Sequence, residues 1–209
     1  MKIENPKLGK NEQKDFYKCL EEDNFASANI ENTEIKQEVI IEDITIDSCT
    51  FKNIDFTKVI FRNVDLIDVC FENCNLSNKD FDERLINRVI FKNTKLTGSS
   101  MIDTSLKDVQ IIDCNATYLN LAGSNINKLS LKSSDFSNVS FFDAKIKNME
   151  VDKVNFNKTE FIKVNLENVD FSTSNIEDII IDKDSLKNII IDSLQSLDIV
   201  RLLGVKIKE

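Results

Sequence analysis

Residues 49–76 read CTFKNIDFTKVIFRNVDLIDVCFENCNL. Every fifth position of this stretch, from Phe51 to Leu76, holds a phenylalanine or a leucine. The same phase continues in both directions, so that every fifth residue from Ile41 to Ile191 is apolar and 11 of the 14 phenylalanines lie on it. A period of five matches neither the turn of an α-helix nor the alternation of a strand. The stretch is therefore part of an internal repeat, and its backbone is expected to be neither an α-helix nor an ordinary β-strand.

A second column of side chains lies two residues before each large apolar one, and most of its members are Ala, Cys, Ser, Thr or Val. The residue directly before the large one is often Asp or Asn, as at Asp55, Asn75 and Asn155. Such side chains can accept hydrogen bonds from nearby backbone amides in a turn. The pattern predicts an all-β solenoid in which four quintets close a square coil and coils stack at about 4.8 Å.

The run above and the run VNFNKTEFIKVNLENVDFSTSNI at residues 154–176 resemble the pentapeptide-repeat proteins. The unit of that family is a small residue, Asp or Asn, Leu or Phe, and two polar residues. The resemblance implies a right-handed quadrilateral β-helix, which we place at residues 25–192. Upstream, apolar residues from Leu20 to Ile40 also step by five but are one residue out of phase, which predicts a one-residue bulge near Ile40–Ile41.

The two ends of the chain do not follow the repeat. We assign residues 1–24 to an N-terminal cap, with a short helix inside residues 11–23 that places Phe16, Cys19 and Leu20 on one side. Residues 193–209 form a C-terminal segment, in which a helix starts after an N-cap at Asp192 or Ser193, runs through Leu203 and is closed by Gly204.

The C-terminal segment has more apolar residues than are needed to cover one coil end. Solenoids need polar caps to stay monomeric, so an apolar cap predicts a two-fold dimer built end to end. The predicted dimer interface consists of Leu194, Leu197, Ile199, Val200, Leu202, Leu203, Val205 and Ile207.

The composition argues against several classes of function. The chain of 209 residues has a net charge of −9, which disfavours direct binding to nucleic acid or to an anionic membrane. It has no histidine and only four glycines, which disfavours zinc sites and phosphate-binding loops. No secretory signal or membrane span is visible, so we expect a cytoplasmic protein with reduced cysteines. Cys49, Cys74 and Cys114 lie on the small column and are expected to pack inside, and we expect no enzyme, cofactor or metal.

Charge is distributed unevenly over the four sides of the predicted coil. The side through Ile41 has the most negative sum of formal charges. Its acidic residues form a candidate partner-binding acidic face, which consists of Glu42, Asp43, Asp80, Asp82, Glu83, Asp103 and Asp143. The plain alternative is that these charges serve solubility. Lys79, Arg84 and Asp184 break the small column, and we expect a local bulge that lets Lys79 and Arg84 reach solvent, since a buried charge is costly.

The C-terminal stretch SLKNIIIDSLQSLDIVRLLGVKIKE, residues 185–209, resembles the ending of the quinolone-resistance (Qnr-type) pentapeptide-repeat proteins of Gram-positive bacteria. The resemblance implies a dimeric, DNA-mimicking rod that binds DNA gyrase, and perhaps topoisomerase IV, and protects it from quinolones or other poisons. Some members carry inserted loops, but the register from Ile41 to Ile191 leaves no room for one, so only the dimer segment is transferred. A generic interaction module and a self-immunity factor against a topoisomerase-directed toxin remain alternatives.

Overall fold

The structure is a computed structural model that describes residues 1–9, 12–202 and 204–206. It contains two helices, α1 (Phe16–Glu21) and α2 (Gln195–Leu202). Its strands are β1 (Glu12–Gln13), β2 (Ala28–Glu31), β3 (Val39–Glu42), β4 (Thr45–Asp47), β5 (Thr50–Lys52), β6 (Val59–Arg62), β7 (Asp65–Glu72), β8 (Leu85–Lys92), β9 (Ser105–Ile112), β10 (Asn125–Lys132), β11 (Lys145–Asp152), β12 (Glu160–Phe161) and β13 (Ile180–Ile181).

The strands form a right-handed parallel β-solenoid of about 8 turns, as the repeat predicts. Residues that are 20 positions apart pair in parallel, for example Leu66 with Ile86 and Phe71 with Phe91. We number the four sides of the coil by their first large residue, from the first side at Ile41 to the fourth at Phe56. Strands β7 to β11 each run along the second and third sides, whereas the first and fourth sides are held mainly by short bridges such as Asp80–Ser100.

The turns depend on two positions of each quintet. The Asp or Asn before the large residue accepts a hydrogen bond from the amide two residues later, as Asp55 does from Thr57 (2.8 Å) and Asp135 from Ser137 (3.0 Å). This confirms the predicted role of these side chains. In most quintets the second residue after the large one has a positive φ, for example 55° at Asn53. Asn, Asp and Gly tolerate this left-handed conformation best, which explains their frequency there.

The interior is one continuous apolar column. Phe71 stacks on Phe51 at 5.1 Å between ring centroids and on Phe91 at 5.4 Å, which matches the stacking of successive coils. The small column is also inside, and Cys49, Cys74 and Cys114 are buried as predicted.

Two irregularities interrupt the repeat, and only the first changes its phase. Ile30 pairs with Phe51, 21 positions on, and Ile40 is 39% exposed whereas Ile41 is buried, which confirms the predicted bulge. The second lies near the C-terminal end, where Ser185 is buried in place of Asp184. The backbone makes a helical turn there, since the amide of Leu186 donates to the carbonyl of Asp182 (3.1 Å).

The N-terminal end of the column is covered by α1. Asp15 caps this helix by accepting from the amide of Lys18, and the ring of Phe16 contacts those of Phe25 and Phe56. Residues 1–9, which the sequence analysis grouped with the cap, lie along the side of the solenoid instead. No helix in the described part of the chain is both long and apolar enough to span a membrane.

Candidate interaction surfaces

Four residues of the predicted acidic face form a ladder along one corner. Asp43, Glu83, Asp103 and Asp143 all occupy the left-handed position after the large residue of the first side. Their side chains are exposed, and none of them forms an ion pair with another described residue. Because the position is the same in every coil, the carboxylates point out from one edge of the rod. We call these four residues the acidic ladder.

Asp43 of the ladder accepts a hydrogen bond from the side chain of Asn63 (2.9 Å), and the other three members of the acidic face have local partners as well. Glu42 pairs with Arg62 at 3.4 Å. Asp80 accepts a hydrogen bond from the amide of Asp82 (2.9 Å), as the Asp of a turn does. Asp82 accepts from the amide of Ile102 in the next coil (2.7 Å) and from a serine hydroxyl of that coil. The acidic ladder is thus distinguished by its shared backbone position, since Glu42 and Asp80 are exposed as well.

The prediction for Lys79 was wrong. Its backbone keeps the register of the repeat, because the amide of Ser100 donates to the carbonyl of Lys79, and the side chain is buried instead of reaching solvent through a bulge. The ammonium group donates to the carbonyls of Val59 (2.7 Å) and Thr57 (3.2 Å). These two acceptors replace water and make burial tolerable. Burial lowers the pKa of Lys79, and the nearby Asp55 partly offsets this effect.

Arg84 also stays in register, so no bulge exists at this site either. The amide of Ser105 donates to the carbonyl of Arg84, and the half-buried guanidinium donates to the carbonyl of Asp82 (3.1 Å). The bulge occurs instead at Asp184, which is exposed and pairs with Lys187 at 2.8 Å. The side chain of Asp is shorter than those of Lys and Arg and cannot reach a distant hydrogen-bond partner from the interior. The backbone therefore turns Asp184 outward, and Ser185 occupies the buried position.

Gly123 maintains the space beside the acidic ladder. It has a φ of 68°, and a Cβ atom built on it would collide with the carboxylate of Asp103. Gly123 occupies the ladder position of the next coil, and because it has no side chain it leaves room for the Asp103 carboxylate. The sequence analysis did not assign this glycine a role.

Helix α2 is fixed to the last coil by a reciprocal cap. Asp192 accepts from the amide of Gln195 (2.8 Å), and the side chain of Gln195 accepts from the amide of Asp192 (2.9 Å). The amide group of Gln195 also donates to the carbonyls of Phe171 (2.9 Å) and Ser174 (2.6 Å). Asp192 is thus the N-cap, one of the two residues, Asp192 and Ser193, between which the sequence analysis left the choice open. The role of Gln195 was missed, although Asp followed by Gln three residues later is a capping-box pattern.

The predicted dimer residues divide into two groups. Leu194, Leu197, Leu202 and Val205 are 75%, 43%, 45% and 52% exposed, and we call them the apolar end. Ile199 packs against the core instead, and Val200 is half-buried. Leu203 and Ile207 lie outside the described residues. Ile180 and Ile190, which the sequence analysis did not select, are also exposed in the last coils.

The cysteines have the properties of packing residues. Burial is the main cause that raises the pKa of Cys49, Cys74 and Cys114 to about 11, so that these thiols stay protonated near neutral pH. Burial also raises the pKa of Cys70, which is half-buried. Among the described residues there is no group of three or more acidic or cysteine side chains that could hold a metal ion.

Comparisons with known proteins agree with this architecture. A family model described as a pentapeptide repeat region matches residues 64–135, and a model of pentapeptide repeats matches residues 44–78 and 140–178. A trypsin-treated form of QnrB1, described as a plasmid-mediated fluoroquinolone resistance protein, is similar in structure with a TM-score of 0.50. It is 16% identical, and the match covers 88% of this chain and 89% of QnrB1.

Other solved repeat proteins match less well. HetL from Nostoc sp. strain PCC 7120, described as involved in heterocyst differentiation regulation, is 15% identical over 80% of this chain and 88% of its own, with a TM-score of 0.26. Rfr23 from Cyanothece 51142 is 13% identical over 84% of this chain and 96% of its own, with a TM-score of 0.27. No curated protein matches the chain.

Proposed function

Because the chain belongs to the pentapeptide-repeat family, we propose that it is a binding protein whose acidic face enters a basic groove of another macromolecule. We propose a type II topoisomerase as the partner, DNA gyrase first and topoisomerase IV second, and protection from quinolones or other poisons as the effect. The acidic ladder carries this proposal, since it places exposed carboxylates along one edge of a rigid rod. QnrB1, a fluoroquinolone resistance protein by its description, shares the fold.

The physical basis is electrostatic attraction between unlike surfaces. A groove that binds DNA is basic, and a row of like charges steers a partner of opposite charge into contact. The ladder places four carboxylates over six coils, whose five steps of about 4.8 Å span about 24 Å. Duplex DNA of that length carries roughly 14 charges at one per about 1.7 Å. The ladder therefore steers association more than it supplies affinity, and the shape of the rod has to supply the rest.

A gyrase supercoiling assay with a fluoroquinolone tests the proposal. We expect that added protein restores supercoiling that the drug suppresses. We expect the double variant Asp103→Asn/Asp143→Asn to need about tenfold more protein for the same rescue, because each lost charge weakens steering into the groove.

The matched control is Asp113→Asn/Asp178→Asn. These two residues are exposed and occupy the same left-handed position of their quintets, but on the third and fourth sides. This control changes the net charge by the same amount and should rescue like the parent. If micromolar protein neither rescues nor inhibits gyrase or topoisomerase IV, the protein is a generic interaction module and the topoisomerase proposal is wrong. If both double variants lose rescue equally, net charge and not the ladder is responsible.

We further propose a homodimer formed by the apolar end. Exposed leucines on a helix that is anchored by Gln195 and Asp192 would be costly to leave in water, and a second copy of the same surface covers them without new chemistry.

A further inference from the structure

Residues 1–9, which we call the arm, lie in an extended conformation along the corner between the second and third sides. The amide of Lys7 donates to the carboxylate of Asp68 (2.8 Å), and the amide of Glu4 donates to that of Asp108 (2.9 Å). The side chain of Gln110 donates to Asn5 (2.8 Å). The N-terminal ammonium of Met1 also pairs with Glu150. The arm thus contacts residues about 60 to 150 positions away, in coils that do not need it for their own closure.

The spacing of these contacts follows from the pitch of the solenoid. Asp68 and Asp108 are two coils apart, about 9.6 Å at the spacing of parallel strands. Glu4 and Lys7 are three residues apart, about 10 Å in an extended chain. The two carboxylates are therefore spaced to accept hydrogen bonds from two amides that are three residues apart in an unstrained, extended peptide. This match depends only on the peptide backbone, so other extended peptides can use it.

The carboxylates are held ready for such contacts. Asp68 receives two hydrogen bonds from Arg88, both at 2.6 Å, which is the main reason that its pKa is lowered. Asp108 is fully buried beneath the arm, and its Oδ1 lies 3.3 Å from the ammonium of Lys128. We call the corner formed by Asp68, Arg88, Asp108 and Lys128 the side groove. Its ion pairs hold both carboxylates in place.

The arm satisfies the side groove incompletely. The Oδ2 atom of Asp108 is buried and has no hydrogen-bond partner among the described residues. The arm residue that binds Asp108 is Glu4, whose own negative side chain cannot donate a hydrogen bond. An unpaired buried carboxylate oxygen is costly. A ligand whose side chain donates a hydrogen bond to this atom would remove that cost.

We propose that the side groove is a binding site for extended peptides, occupied in the free protein by its own arm, and that its preferred ligand has a hydrogen-bond donor where the arm has Glu4. The site is distinct from the acidic ladder, which follows another corner. The proposal therefore does not depend on the proposed function, and either can fail without the other.

Proline substitutions in the full chain provide the test. Glu4→Pro/Lys7→Pro removes the two donating amides while keeping the arm compatible with an extended conformation. The matched control Glu4→Ala/Lys7→Ala removes the side chains but keeps the amides. The probe is a synthetic peptide of residues 2–9, acetylated and amidated at its ends, titrated against ¹⁵N-labelled protein by NMR. Concentrations reach about 10 mM, because a tethered arm competes at a millimolar effective concentration.

We expect the peptide to shift the amide signals of Asp68, Arg88, Asp108 and Lys128 in the proline variant at concentrations several-fold below those that shift them in the alanine control, whose arm competes. A peptide with Glu4→Gln should bind about tenfold more tightly, as expected for a hydrogen bond to a charged group. A peptide carrying both prolines should not bind. The absence of shifts in a folded proline variant, equal shifts in both variants, or equal affinity of the Glu4 and Glu4→Gln peptides would overturn the proposal.

Hydrogen exchange in the unmodified chain is a second test that needs no variant. The amides of Glu4 and Lys7 should exchange at least about tenfold more slowly than those of Lys2 and Asn5, because only the first two donate to buried carboxylates. Equal exchange at all four amides would mean that the arm is not docked, and the site would lose its occupant.

Discussion

At the residue scale, the quintet is defined by which positions the backbone constrains. The Asp or Asn before the large residue was predictable, because its side chain bonds a local amide, as Asp55 does. The left-handed position was not, because the residues found there include Arg88, Tyr118 and Lys128 as well as Asn and Gly. Pairing with the neighbouring coils imposes this conformation on them, so the local preferences of these residue types do not predict it.

Gly123→Ala tests the cost of that position where it matters for the acidic ladder. A left-handed conformation costs an L-residue about 1–2 kcal/mol, and the new methyl group also collides with the Asp103 carboxylate. We expect a loss of about 2–3 kcal/mol in the free energy of unfolding, measured by urea denaturation. The double variant Asp103→Ala/Gly123→Ala should lose less than the sum of the single variants. Simple additivity would show that the two residues do not collide.

Lys79 departs from the column of small residues but leaves the 20-residue register of the coils unchanged. The sequence analysis counted the cost of burial but could not foresee the two carbonyls, of Val59 and Thr57, that bind the ammonium group. These acceptors come from the preceding coil, and only the three-dimensional stacking brings them within reach of a side chain about 20 residues further on.

The lowered pKa of Lys79 predicts a dependence of stability on alkaline pH. The folded protein loses this proton at a lower pH than the unfolded chain, so between the two pKa values the unfolded chain binds more protons and stability rises with pH. Relative to Lys79→Met, the parent should therefore gain stability as the pH rises from the lowered pKa of Lys79 toward the ordinary lysine value of 10.5, by at most about 1.4 kcal/mol per pH unit. Urea denaturation of both proteins across this range measures the difference, in which the opposite effect of the buried thiols cancels. A difference that does not change with pH would contradict the prediction.

At the element scale, the predictable elements are those with a repeating apolar pattern or a cap. The coils follow from the five-residue period, and α2 follows from Asp192 and the apolar residues after it. The arm has neither a period nor a cap. It is positioned by the amides of Glu4 and Lys7, and every extended chain has such amides, so its sequence carries no sign of where it docks.

Leu197→Asp tests whether α2 forms the dimer. Leu197 is 43% exposed on a helix whose other side is anchored by Gln195, so the substitution should not unfold the monomer. We expect light scattering to give half the mass of the parent, because a charge buried in an apolar interface costs several kcal/mol. The control Asn168→Asp adds the same charge at an exposed position away from α2 and should leave the mass unchanged. An unchanged mass for Leu197→Asp would reject the proposed interface.

At the scale of the whole molecule, each coil contacts only its two neighbours, so stability is approximately a sum of coil and interface contributions. Phe71 lies in the interior of the column between Phe51 and Phe91, at 5.1 and 5.4 Å. Phe171 lies near the C-terminal end, and its ring contacts Phe161 of the same coil and Phe156 of the previous coil. Both side chains are buried, but truncation of each should destabilise a different length of the rod.

We therefore expect Phe71→Ala to lower the free energy of unfolding of the whole rod by about 3–5 kcal/mol, in one cooperative transition. Phe171→Ala should instead uncouple the last coils and α2, because no further coil covers them and the capping bond from Gln195 ends on the carbonyl of residue 171. Hydrogen exchange followed by mass spectrometry distinguishes the two results. It should show faster exchange throughout for Phe71→Ala but only after about residue 160 for Phe171→Ala. Uniform faster exchange in both variants would mean that the solenoid unfolds as a single unit and that its ends have no independent stability.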